Sequence, residues 1–231
     1  MCLKMYKAFF LDDKHNNCGD MLSRPILQHF LKSKIKLVNR NTKGKILAVG
    51  SIMTALRKFD IVWGAGCIRD KPIKVPEGVK ILALRGKYTA ELLNVKCDVY
   101  GDPALLLPLM YNPNIKPKYE VGYVPHYVDK CLFEHSTEKV IDIQQDWKPF
   151  VDEIKQCKKI ISSSLHGLVI AEAYGIPVEW QVYSNKVIGD GFKFKDYLSA
   201  TDRESFDESL DKSKLKSIQD NLIKAIQGAD V

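Results

Sequence analysis

Short apolar runs, each closed by glycine or a polar residue, alternate along the chain with stretches of helical periodicity. The runs are residues 7–11 (KAFFL), 45–50 (KILAVG), 60–66 (DIVWGAG) and 79–86 (VKILALRG), then 119–126 (YEVGYVPH), 139–143 (KVIDI), 158–164 (KKIISSS) and 178–183 (VEWQVY). Runs this short and this apolar predict strands buried on both faces, and their alternation with helical patterns predicts an α/β fold built on parallel sheets. Leu22, Ile26, Leu27, Phe30 and Leu31 recur at helical spacing within residues 20–31, and shorter helices are expected at 88–93 and 150–157. Near the end, Leu215, Ile218, Leu222, Ile223 and Ile226 share one helical face ahead of Gly228, which predicts a helix packed on one of the sheets. Residues 111–118 (YNPNIKPK) have no periodicity and read as a linker between two halves, 1–115 and 116–231.

Composition narrows the class. A chain of 231 residues with 45% hydrophobic content can fill one large α/β domain or two small ones. No apolar run approaches the ~18 residues of a membrane span, and the early apolar patch meets Asp12 and Asp13, so a first strand and a cytoplasmic location are expected. Cys2, Cys18, Cys67, Cys97, Cys131 and Cys157 are scattered without a C-x-x-C pair, which argues for free thiols over zinc or disulfides. The net charge of +7 is mostly lysine, with only Arg24, Arg40, Arg57, Arg69, Arg85 and Arg203 as arginines. Such an excess favours an anionic small substrate or a weak approach to an anionic membrane; nucleic acid is disfavoured, because no basic stretch is interleaved with aromatics.

In open parallel sheets ligands bind beyond the carboxyl ends of the strands, so the polar residues that follow the apolar runs are the candidates for chemistry. Residues 16–20 (NNCGD) hold Asn17, Gly19 and Asp20, with Asn17 or Asp20 as a helix cap in the plainest reading. Gly64 and Gly66 in WGAG would allow close backbone approach, although the third glycine of a dinucleotide fingerprint is missing. Arg85 sits between a strand and a helix, placed either to fork onto a carboxylate or phosphate or to form a rim ion pair. Asp102 either caps a helix or faces the ligand. His126 and His166 both end strands of the second half, where an imidazole can serve as acid or base near neutral pH. His15, His29 and His135 lack that context.

Taken in order, NCGD, VWGAG, LRGKYTAELL, YGDPALLLP, VGYVPH, SSLHGLVIAEAYGIP and GFKFKDYL resemble the polysaccharide pyruvyl transferase family, especially its exopolysaccharide ketal-pyruvate transferases, from Asn17 to Leu198. The resemblance implies two Rossmann-like lobes facing a cleft, similar to the glycosyltransferase B architecture, with the first lobe on the acceptor side. It implies transfer of pyruvate from phosphoenolpyruvate to two sugar hydroxyls, giving a cyclic ketal and phosphate, in capsule, exopolysaccharide or cell-envelope assembly. The acceptor class includes lipid-linked oligosaccharides, hence peripheral contact with the inner face of the cell membrane; phosphoenolpyruvate is a donor substrate and no cofactor or metal is required. The L-H-G histidine is His166, a proton-transfer candidate flanked by Ser163, Ser164, Leu165 and Gly167, with Asp20 or His126 as its complement. Arg85 is the candidate for the donor's anionic groups. Many family members carry arginine directly before L-H-G, where this chain has Ser164, so Lys193, Lys195 or Arg69 is needed to supply the charge.

Two rivals share these features. A nucleotide-sugar glycosyltransferase would suit the same architecture, since fold does not decide function, and a non-catalytic glycan-binding protein would suit the loss of the arginine. Within residues 160–177, the expectation is a buried strand to Ser162, a ligand-facing turn at 163–167 and a packed helix from Leu168 to Tyr174.

Overall fold

The computed structural model describes residues 4–11 and 17–229; Cys2, Asp12, Asp13 and His15 lie outside them. The chain forms an α/β fold with two wholly parallel sheets. The first has the order β2-β1-β3-β4-β5, from β1 (Met5–Phe9), β2 (Lys34–Leu37), β3 (Ile46–Leu47), β4 (Ile61–Trp63) and β5 (Lys80–Ala83). The second has the order β7-β6-β8-β9, from β6 (Tyr119–Val124), β7 (Lys139–Val140), β8 (Cys157–Ser162) and β9 (Val178–Trp180). Every run read as a strand contains one. In both sheets the winding direction reverses between the first strand and the third, the place where ligands enter doubly wound sheets.

The helices are α1 (Cys18–Met21), α2 (Ser23–Leu31), α3 (Lys87–Leu93), α4 (Trp147–Lys155), α5 (Leu165–Ala173), α6 (Phe192–Ala200) and α7 (Lys212–Gln227). The helix expected over 20–31 is interrupted at Leu22, whose N–H bonds back to Gly19 and closes a separate first turn capped by Asn17. The helix expected to run to residue 157 stops at Lys155, because Cys157 is already paired with Tyr119 in the second sheet. Strand β2 escaped the apolar-run criterion: its sequence KIKL alternates lysine with aliphatics, the pattern of a sheet edge that must face water on one side. Helix α5 begins at Leu165, three residues earlier than expected, and all nine of its residues are buried.

One core runs from Ala8 and Trp63 of the first sheet, through Ala104–Leu107, to Val124, Ile160 and the whole of α5. Residues Pro103–Leu109 form a 3-10 helix that packs against α5, so the segment after the first sheet supports the second. The C-terminal helix makes the reverse connection. Although α7 follows the second sheet in sequence, it packs on α2, β4 and β5, burying Ile218, Leu222 and Ile226, and Leu222 O accepts the indole N–H of the fully buried Trp63 at 2.9 Å. Among the described residues no helix is long and apolar enough to cross a membrane, and Cys18, Cys67, Cys97, Cys131 and Cys157 are free thiols.

Candidate active site

A pocket of about 130 Å³ gathers residues that immediately follow five strands: Leu11 after β1, Ser51 after β3, Ile68 after β4, His126 after β6 and Ser164–His166 after β8. Asn17, Asp20 and Lys193 complete its wall, and Lys186 stands at its mouth. The switch points of both sheets therefore meet one small space.

His166 lies in the first turn of α5 and is 7% exposed. Its Nε2 is 3.7 Å from Oδ2 of the fully buried Asp102, too far for a hydrogen bond, and neither atom has a hydrogen-bond partner. Asp102 is divided between two duties: Oδ1 accepts the Ala104 N–H at 2.9 Å and caps the 3-10 helix, while Oδ2 turns toward the imidazole. Of the two alternatives weighed for this residue the structure shows the cap; Asp102 does not line the pocket and stands behind His166 instead. A carboxylate behind an imidazole can hold the ring in orientation, and such contacts tighten when a substrate is bound. The other face of the ring rests on Gly19, where a Cβ would lie 1.9 Å from Nδ1. The glycine of NCGD is therefore there to admit His166.

His126 caps the 3-10 helix Tyr127–Phe133, its Nδ1 accepting the Val128 N–H at 3.4 Å. Burial first, then the nearby Lys193 and His166, outweigh Asp129 and push its pKa down to about 4, so it is a neutral imidazole at neutral pH with its proton on Nε2. Lys193 is also buried, and burial, then the charge of Arg85, lower its pKa to about 8 against the opposing pull of Asp20. Of the three basic residues considered for the missing charge, Lys193 lines the pocket, whereas Lys195 and Arg69 are exposed.

The three serines divide. Ser162 Oγ bonds Val124 O at 2.7 Å and accepts the Ser164 N–H at 2.9 Å, tying β8 to β6. Ser163 Oγ accepts the His126 N–H at 2.8 Å and donates to Asp129 Oδ2 at 2.9 Å; Asp129 also accepts from Ser184. Only Ser164 lines the pocket, at the N-terminus of α5 beside Leu165 and His166. Gly167 faces away, leaving room for Ser162 Oγ, which a Cβ would approach to 2.4 Å.

Arg85 is placed differently from the sequence expectation of a ligand-facing fork. It is fully buried behind the pocket, with Nε on Asp196 Oδ2 at 2.9 Å, Nη1 on Ser51 Oγ at 2.6 Å and Nη2 on Cys67 O at 2.5 Å. Gly66 exists for this side chain, since a Cβ there would stand 2.3 Å from the guanidinium carbon, and Gly64 makes the same allowance for Pro103. Neither glycine lines the pocket. Asp196, which the sequence reading did not single out, also accepts the Thr89 N–H at 2.8 Å and the Thr89 hydroxyl at 2.7 Å. It joins α6, the helix bearing Lys193, to the first sheet. Tyr197 and Arg203 bond Glu172 and clamp the same helix to α5. The one sequence signal was their i, i+3 spacing, which puts Lys193 and Asp196 on the same face of a helix, the buried face of α6. Among the described residues no three metal-ligating side chains gather to hold an ion.

Comparison with known proteins gives this arrangement a context. The chain is 33% identical over 216 residues to the uncharacterized protein L143 of Acanthamoeba polyphaga mimivirus, covering 85% of this chain and 74% of that one. It is 25% identical over 205 residues to the succinoglycan biosynthesis protein ExoV of Rhizobium meliloti (strain 1021), covering 83% of this chain and 63% of that protein. No solved structure matches. The model of the polysaccharide pyruvyl transferase family matches residues 17–180, which run from the Asn17 cap through Asp102, His126 and His166 to the end of β9, and the chain belongs to that family.

Proposed function

We propose that the protein transfers pyruvate from phosphoenolpyruvate to two hydroxyls of a polysaccharide-type acceptor, forming a cyclic ketal and releasing phosphate, on two Rossmann-like lobes of glycosyltransferase B type. The observation that carries this reading is the meeting of the His166–Asp102 pair with the buried Lys193 at the N-terminus of α5. Lys193 and the helix terminus suit the donor's carboxylate and phosphate, and they occupy the role left open by Ser164. The space around His166 and Lys193, at about 130 Å³, is of a size that suits a three-carbon donor.

In this mechanism protonated His166, oriented by Asp102, protonates C3 of the donor from Nδ1, the nitrogen not turned toward Asp102. The first sugar hydroxyl attacks C2 and gives its proton to Asp20, forming a tetrahedral phospho-ketal. The second hydroxyl then attacks C2, the bond to the phosphate oxygen breaks, and neutral His166 takes the second hydroxyl's proton, restoring the imidazolium. His126 donates a hydrogen bond from Nε2; with so low a pKa it is a poor base. Phosphate leaves against Lys193 and takes the proton held by Asp20, which restores that carboxylate.

The test is incubation with phosphoenolpyruvate and a panel of synthetic and lipid-linked glycosides, with phosphate release and the ketal mass read together. His166→Ala is expected to lose about 10²–10⁴-fold in rate. Full phosphate release by a folded His166→Ala protein sinks the assignment, and selective thermal stabilisation by a nucleotide sugar replaces it with the glycosyltransferase reading.

A further inference from the structure

The reaction pocket does not end at its own wall. Ile68 and Ile188 are shared with a larger groove of about 610 Å³, whose remaining wall includes Arg69, Lys71, Pro72 and Ile73. The lining has two cations and no carboxylate, because Asp70 between them does not line it. Neither Arg69 nor Lys71 has a side-chain hydrogen bond or ion pair among the described residues.

The groove is also held in shape. Gly189, Asp190 and Gly191 take φ of 102°, 48° and 78° in succession, which folds their loop back onto the first sheet. Gly189 lies so close that a Cβ would stand 1.9 Å from Ile68 O. Ile188, next to this contact, lines both spaces, while Lys186 lines the pocket and Arg69 and Lys71 line the groove.

We propose that this groove recognises an anionic group on the acceptor, next to the sugar that receives pyruvate, so that the preferred acceptor is an acidic glycan carrying a phosphate-type or carboxylate group. The inference rests on the pyruvyl-transfer reading for the word acceptor. Its physical basis is separate: two uncompensated cations over apolar Ile68, Pro72 and Ile73 suit a ligand with a charged group joined to a less polar one, and the buried Lys193 is already assigned to the donor.

Three probes test it by calorimetric titration of the full chain: a neutral octyl hexoside, the same hexose on an octyl diphosphate, and an octyl hexosyl-hexuronide. At least one acidic probe is expected to bind about tenfold or more tightly than the neutral one at low ionic strength, with the advantage shrinking at high salt. The better acidic probe identifies the source of the charge. The advantage should vanish in Arg69→Ala/Lys71→Ala, while Tm and phosphoenolpyruvate affinity hold. Equal binding of all three probes, or an advantage kept by the double variant, overturns the proposal. Because binding is read without turnover, a protein that binds acidic glycan here but releases no phosphate from phosphoenolpyruvate refutes the reaction and leaves the groove standing.

Discussion

The carboxyl edges of the two sheets present similar residue types and use them in opposite ways. At the first edge, Gly64, Gly66 and Arg85 are turned inward: the glycines admit Pro103 and the guanidinium, and Arg85 is fully occupied by Asp196, Ser51 and Cys67. At the second edge, His126 and Ser164–His166 face the pocket. A strand-end position therefore brings a residue near a ligand site without deciding whether it touches the ligand. The first edge turns its arginine and glycines into the supporting wall, the second turns its histidines to the pocket, and α6 connects them, with Asp196 directed to one and Lys193 to the other.

The sharpest way to break this division is Asp196→Ala. It leaves Arg85 charged, buried and without its carboxylate, and is expected to cost about 3–5 kcal/mol of stability in urea unfolding. Asp196→Asn keeps the shape and should cost less; equal stability of Asp196→Ala and the wild type would show that the pair does not hold the wall.

Lys193→Met should leave the fold intact and raise the KM for phosphoenolpyruvate about 10–100-fold, the scale of one hydrogen bond to a charged group. The pH profile separates a binding role from a structural one. Only the ammonium form attracts the donor, and its pKa is about 8 in the folded protein, so donor affinity should fall as pH rises through that value. Lys193→Arg, charged throughout the range, should flatten that fall. An unchanged profile in Lys193→Arg would remove Lys193 from the donor site.

The smallest effect is expected at Gly19→Ala. The new methyl must push the His166 ring aside, at about 1–3 kcal/mol in stability, and the rate should fall with donor KM little changed. A normal rate would show that the ring's position against Gly19 is not used.

How far the chain announced this in advance depends on the range of the forces involved. Eight of the strands were legible because each overlaps a short apolar run closed by glycine or a polar residue, whereas β2 was not, because an edge strand alternates lysine with isoleucine and leucine. The Asn17 cap was legible for the same local reason: its side chain bonds the N–H two residues on. Asp196 was invisible, since its partners Arg85 and Thr89 lie 111 and 107 residues away. Arg85 was visible with two readings open, a ligand-facing fork and a rim ion pair, because an arginine between a strand and a helix reads the same whichever carboxylate or phosphate receives it; the structure shows the ion pair, buried instead of on the rim.

Local periodicity and the ordered motifs thus determined the parallel α/β class, the family and the identity of His166, because each is written in neighbouring residues or in their order. Tertiary structure alone decided that Asp102 stands behind that histidine, that Lys193 rather than Lys195 or Arg69 lines the pocket, and that the last helix returns to the first sheet. Those outcomes depend on which distant surfaces bury one another, and burial is a property of the assembled core that no short stretch of chain contains.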